Sequence, residues 1–311
     1  MGKKMVFLYA GYHGDRDNIT YNYNSVHIAN GFPNVSEFVI CSGQYPHYFD
    51  DNGNINEEAQ TNYINAVANL IKSLPGTKNF WVGTPFCEGV KTSAGIDKLG
   101  KTQVKFIENL KQKLDNEGRT HRLNGIYMHS EEPTAKRIEM YKVVADYVHN
   151  TLKKQFLWAP YYGSGTVPNI GTVIGAGIFD YVMIQPHYYF AINSTNQDNS
   201  AAIRKSMRDQ RLYYRDLNTL VAGASNPKTK IGCQMEIDPQ FYTDSNNTDA
   251  YNAYYDKCFS NVSTAPMGTL SGYNKANSDF SFYCDHLSGT PTPQQTQTYK
   301  NMMAKVTAFY N

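Results

Sequence analysis

Short apolar runs alternate with longer stretches of helical period along nearly the whole chain. Eight runs are expected to be strands: Met5–Ala10, Glu37–Cys41, Asn79–Thr84, Gly125–His129, Phe156–Tyr161, Tyr181–Gln185, Lys230–Ile237 and Phe280–Tyr283. Most are continuously apolar rather than alternating, the pattern of parallel strands covered on both faces. Between them, Glu57–Leu74, Lys98–Glu117, Thr134–Leu152, Ser200–Ala222 and Pro293–Tyr310 are expected to be helices, with a shorter glycine-interrupted helix over Thr166–Gly177. The apolar positions Ala59, Tyr63, Ala66, Val67, Leu70 and Ile71 share one helix face. Gly118 follows the second helical period at a position suited to a C-terminal cap.

Eight strands separated by helices, with no Pro-, Gly- or Ser-rich linker, predict an α/β fold: a single (β/α)8 barrel domain over residues 1–311. Two long connections, Gly11–Ser36 and Asp238 to about Asn277, are rich in Asn, Asp, Tyr and Gly, and follow strands 1 and 7. Long connections in a compact domain are commonly functional, and in a barrel both would lie over the C-terminal face.

Composition narrows the chemistry. The net charge of +2 and the lack of a Lys/Arg-rich run argue against a polyanionic partner, so no nucleic-acid binding is expected. Five widely spaced cysteines, with no C-x-x-C pair, fit neither a disulfide framework nor a zinc site. Dispersed histidines and the lack of H-E-x-x-H leave no metal site in view, and no cofactor is expected. There is no signal-peptide pattern at Met1–Ala10 and no run of the ~20 apolar residues that a membrane span requires. A monomer is expected. The 25 tyrosines against 2 tryptophans, many beside Asn, Asp or Gly, suit stacking on sugar rings in a wet cleft.

The candidate chemistry lies where two strands run into acids and are stopped by proline. Glu131 and Glu132 precede Pro133 after the fourth strand, and Glu236 and Asp238 precede Pro239 at the end of the seventh. In one barrel these acids converge on the same mouth, and two facing carboxyl groups can cleave a glycosidic bond. Glu131 and Glu132 are adjacent, so an extended chain turns them to opposite sides and only one can enter the pocket. The other would serve the N-terminus of the next helix. Glu236 is an acid in an otherwise uncharged stretch, and Asp238 could orient it or replace it. Around them, Trp158, Tyr161 and Tyr162 end strand 5, Gln185, His187 and Tyr188 end strand 6, and Gln234 precedes Glu236. Trp158 could stack on a sugar or pack in the core. Arg16, with Asp15 and Asp17 after strand 1, could hold a hydroxyl or carboxylate or be solvated.

Acids after strands 4 and 7 resemble the retaining glycoside hydrolases of clan A. That resemblance implies a Glu acid/base after strand 4 and a Glu nucleophile at Glu236. Glu132-Pro133 matches the end of the clan's Asn-Glu-Pro motif, with Glu131 where its Asn would stand. The segments Gly125-Ile126-Tyr127-Met128 leading to Glu131, Trp158-Ala159-Pro160-Tyr161-Tyr162, and Phe179-Asp180 with Met183-Ile184-Gln185-Pro186-His187-Tyr188 are similar to a bacterial family of glycosidase-like barrel domains, often secreted. Its register favours Glu131. The resemblance implies a carbohydrate substrate and an extracellular or cell-surface setting. The alternatives are a catalytically inactive carbohydrate-binding barrel, or another enzyme on this scaffold, such as a lyase using Tyr188 or His187 as base.

Overall fold

In a computed structural model, eight parallel strands close on themselves in the order β1-β2-β3-β4-β5-β6-β7-β8, a (β/α)8 barrel. The structure describes residues 2–10, 25–26, 28–43, 48–161, 167–185, 229–237, 279–284 and 292–310. The strands are β1 Lys4–Ala10, β2 Glu37–Ser42, β3 Asn79–Gly83, β4 Leu123–Met128, β5 Gln155–Trp158, β6 Tyr181–Ile184, β7 Lys230–Ile237 and β8 Asp279–Cys284. The ring closes where β1 pairs with β8, Lys4 opposite Phe280 and Phe7 opposite Tyr283. The described helices are α1 Glu57–Ser73, α2 Ser93–Asn116, α3 Ile138–Asp146, α4 Val167–Gly175 and α5 Pro293–Tyr310. The expected helix over 200–222 and the long connection after β7 fall outside the described residues, as do residues 11–24 and 27 of the connection after β1.

Strand alternation builds two cores. Met5, Phe7, Val39, Trp81, Tyr127, Leu157, Tyr181 and Met183 form one buried cluster, the filled barrel interior. Their strand neighbours Val6, Leu8, Phe38, Ile40, Val82, Ile126, Phe156 and Val182 belong to a larger cluster that also takes in the apolar stripes of α1 and α2. Interior packing depends on glycine at two points. A Cβ on Gly125 would lie 2.3 Å from the Trp81 ring, and one on Gly232 would lie 2.3 Å from the Met183 sulfur. Both large side chains therefore cross the interior over a bare backbone.

Helix boundaries follow their caps. The Asn56 side chain accepts the Ala59 N–H at the start of α1, where Glu57 and Glu58 occupy the positive end of the helix dipole. α2 begins at Ser93, ahead of the sequence expectation, because Thr92 caps it through the Gly95 N–H. It ends as a Schellman motif: Gly118, at φ +67°, donates to the Asp115 carbonyl, and Arg119 donates to that of Leu114. The expected helix over Thr134–Leu152 is instead a 3₁₀ turn at Ala135–Arg137, then α3, then a π-helical turn at Tyr147–Thr151.

The N-terminal end of the barrel is sealed by charge paired with aromatics. Lys3 Nζ lies 2.7 Å from Glu37 Oε1, and the Trp81 indole N–H donates to Glu37 Oε2 at 2.6 Å. Lys3 also sits 5.2 Å from the Tyr181 ring centroid. With that end filled, the opposite end is the one open to chemistry.

Candidate active site

β4 runs out of the barrel through His129 and Ser130 into Glu131 and Glu132, and the two acids part. The Glu131 carboxyl accepts a 3.0 Å hydrogen bond from the Gln185 amide, at the end of β6. Gln185 is held by a second donation, to the Ala159 carbonyl at 2.8 Å, and its own N–H donates to Pro160. The Glu131 carbonyl accepts the Tyr161 N–H at 3.0 Å, tying the ends of β4 and β5 together. Glu132 turns the other way and pairs with Lys91 at 3.1 Å, on a lysine 67% exposed. The N-terminus that follows is capped by Thr134, whose hydroxyl accepts the Lys136 N–H, and not by either acid.

Burial first, and then the nearby Glu88 carboxylate, push the Glu131 carboxyl from its ordinary range up to about 7, with the Gln185 hydrogen bond acting the other way. Such a carboxyl still carries its proton near neutrality, the property a general acid needs. His129, one turn of strand earlier, takes the opposite course. It is 4% exposed, hydrogen-bonded through Nδ1 to Ser42 Oγ at 3.1 Å, and burial lowers its pKa to about 3. Near neutral pH it is an uncharged buried imidazole, packed between Phe86 and Tyr127.

Glu88, on the connection after β3, did not figure in the sequence reading. Its carboxylate accepts the Glu132 N–H, and the neighbouring Glu131 N–H also favours its charged form. Burial raises its pKa, while those two amides and the Arg137 guanidinium favour its charged form. Arg137 is itself buried and donates to the carbonyls of Cys87 and Val90, which fixes the turn carrying Glu88. The signal available in the sequence was positional: an acid in Phe86-Cys87-Glu88-Gly89, directly after a strand of the same barrel.

The remaining expected site residues divide by location. Tyr161 is half-buried at the mouth, in register with Gln185, and its hydroxyl pKa is raised by burial and by Glu132 and Glu88. Gln234 is 2% exposed in β7, opposite Ser281, and its Nε2 has no hydrogen-bond partner among the described residues. Trp158 is a correction to the sugar-stacking alternative. It is wholly buried outside the barrel ring, stacked on Phe179 at 5.3 Å, with its indole N–H on the Ser130 carbonyl at 2.6 Å. No sugar can reach that ring, because β5 alternation turns Leu157 and Ala159 inward and sends Trp158 toward the helices. The backbone of Glu236 lies in β7, in register with Tyr283, and its side chain is outside the described part of the structure. Arg16, Tyr162, His187, Tyr188 and Asp238 also fall outside the described residues.

Among the described residues, no group of three or more His, Cys, Asp or Glu could hold a metal ion. No described helix is long and apolar enough to cross a membrane.

The fold is shared with known carbohydrate-associated barrels. The xylanase-α-amylase inhibitor protein XAIP-I, solved with trehalose, is 12% identical, with 97% of each chain covered and a TM-score of 0.50. A GH5_18 glycoside hydrolase variant from Streptomyces cattleya, solved with Manβ1-4GlcNAc, is 11% identical over 93% of this chain and 74% of that one, also at 0.50. At these identities the likeness is one of fold. No curated protein matches the sequence. A family profile, described as Domain of unknown function (DUF4855), matches residues 91–302, more than half of the chain and the stretch that holds β4, β7 and both acidic segments; the chain belongs to that family.

Proposed function

We propose that the protein is a glycoside hydrolase acting on a poly- or oligosaccharide, with Glu131 as acid/base and Glu236 as nucleophile. The observation that carries this reading is the state of Glu131. It is a carboxyl at the C-terminal end of β4, anchored by Gln185 and protonated up to about pH 7. Glu131 would protonate the glycosidic oxygen as the bond to the anomeric carbon breaks, while Glu236 attacks that carbon. The resulting glycosyl-enzyme would be opened by a water that Glu131, now a carboxylate, deprotonates, giving net retention. Gln234, whose amide donor has no partner among the described residues, is suited to a substrate hydroxyl or carbonyl, and Tyr161 to the edge of a sugar ring. Glu132 has a surface lysine as its partner and takes no part in the reaction.

The test is reducing-sugar release from a panel of bacterial and plant polysaccharides by the unsubstituted protein and by Glu131→Gln, Glu132→Gln and Glu236→Gln. The reading expects losses of several orders of magnitude for Glu131→Gln and Glu236→Gln and near-native turnover for Glu132→Gln. Full activity in Glu131→Gln or Glu236→Gln would overturn it. A second reading, a carbohydrate-binding barrel without turnover, is favoured by the end-to-end likeness to an inhibitor protein solved with trehalose. It predicts glycan binding by calorimetry that is unchanged in Glu131→Gln and no sugar release by any form.

A further inference from the structure

We propose that Glu88 is the positioning residue of this site: its carboxylate holds the Glu131–Glu132 main chain in the barrel mouth and sets a fixed negative charge beside the Glu131 carboxyl. The inference deepens the hydrolase reading and rests on it for its catalytic meaning, but its structural content stands apart from any reaction.

Three observations carry it. First, Glu88 comes from a different strand connection and reaches across to accept the main-chain N–H of Glu132, the residue directly after Glu131. A charged acceptor on that amide fixes the position of the peptide that joins Glu131 to Glu132. Second, Glu88 is itself fixed. Its turn is held by the buried Arg137, which donates to the carbonyls on either side of it, at Cys87 and Val90. Third, the two carboxyls differ in what supports their charge. Glu88 accepts the Glu132 N–H, and the Glu131 N–H and Arg137 guanidinium also favour its charge, whereas among the described residues the Glu131 carboxyl is hydrogen-bonded by the Gln185 amide alone. When two neighbouring carboxyls share a site, the better-supported one ionises first and its charge opposes ionisation of the other. Glu88 is therefore the anion and Glu131 the proton holder. Among the described residues, the other titratable groups around the pair are Glu132 with its partner Lys91, the Cys41 and Cys87 thiols, and the hydroxyls of Tyr127, Tyr141 and Tyr161. His129 beside them is neutral.

The experiment uses the full chain with ¹³C-labelled glutamate, following the Glu131 carboxyl carbon by NMR from pH 4 to 9, in the unsubstituted protein and in Glu88→Gln. Glutamine keeps an oxygen acceptor for the Glu132 amide and removes the charge. The Glu131 midpoint is expected to fall by roughly one pH unit in the variant, staying above the ordinary carboxylate range because burial is the larger cause. An unmoved midpoint in a folded variant overturns the proposal. If Glu88→Gln does not fold, the unsubstituted protein still decides the matter. The Glu132 amide proton, bonded to Glu88, should titrate at lower pH than the Glu131 carboxyl carbon, and the reverse order overturns the assignment. Neither readout needs a substrate. A shifted midpoint with no glycan cleaved refutes the hydrolase and leaves the positioning role standing; cleavage with an unmoved midpoint does the opposite.

Discussion

A carboxyl kept protonated by its surroundings should weaken the fold whenever the solution pH favours its ionisation. In the unfolded chain Glu131 ionises near 4.5, and in the folded protein near 7. Below about pH 4.5 it is protonated in both states and costs nothing. Between 4.5 and 7 the folded state retains a proton that the unfolded state has released, so stability declines as pH rises, by about 1.4 kcal/mol per pH unit. Above 7 the loss is complete. Across the full window the figure is about 3 kcal/mol, and water reaching a carboxyl at the barrel mouth lowers it to about 2 kcal/mol. Glu131→Gln abolishes the titration while leaving an oxygen to accept the Gln185 amide. The variant should therefore gain stability over the unsubstituted protein on going from pH 4.5 to pH 8, by about 2 kcal/mol, whatever constant offset the substitution brings. Urea unfolding of both forms at four or five pH values measures this directly. A stability difference that stays flat across the range would refute the argument that Glu131 is held protonated, and with it the main support for an acid role.

Two further outcomes follow from the interior packing. Gly125→Ala places a methyl within 2.3 Å of the Trp81 ring and 2.6 Å of the Gln155 carbonyl. It should destabilise by about 2–3 kcal/mol or more in denaturant unfolding, and a cost under 0.5 kcal/mol would mean the interior can relax around Trp81. Both tryptophans, Trp81 and Trp158, have no exposed surface, so intrinsic emission should be blue-shifted, resist acrylamide quenching, and stay unchanged on adding any glycan that binds.

The architecture was legible because its signals are local. β1, β3, β4 and β6 are apolar runs with abrupt ends, and their order alone implies parallel pairing around a ring. Proline after the acids of β4 marked the barrel mouth for the same local reason. The start of α2 was obscured because Ser93, Gly95, Asp97 and Gly100 look like loop residues; Thr92 capping and packing of Ile96 and Leu99 override that weak propensity. The segment after Thr134 kept its helical period but is divided among three kinds of turn, which periodicity cannot distinguish. Trp158 was ambiguous because facing is a matter of parity. One residue's difference moves a side chain from the mouth side to the helix side, and in the four-residue β5 the one polar residue, Gln155, sits exposed at the strand's first position, where it does little to fix the phase of the three buried apolar residues after it. Glu88 was out of reach for another reason. Its importance comes from a main-chain bond to a residue 44 positions away, and main-chain donors leave no mark on a sequence.

The closing seam between β1 and β8 has a consequence for the order of events as the chain is made. The Phe280 N–H donates to the Lys3 carbonyl, the Lys3 N–H donates to the Asp279 carboxylate, and the Tyr310 hydroxyl reaches back to the Met5 carbonyl, 305 residues away. None of these bonds can form until β8 has been synthesised. At ~10 residues per second, β1 then waits roughly half a minute with one edge open. Throughout that wait a row of main-chain donors and acceptors, flanked by Val6, Phe7 and Leu8, is free to pair with any extended segment it meets. Ribosome-bound intermediates of this barrel should therefore need shielding along β1 in particular, and aggregation in the cell should depend more on the rate of elongation to β8 than on the stability of the finished ring.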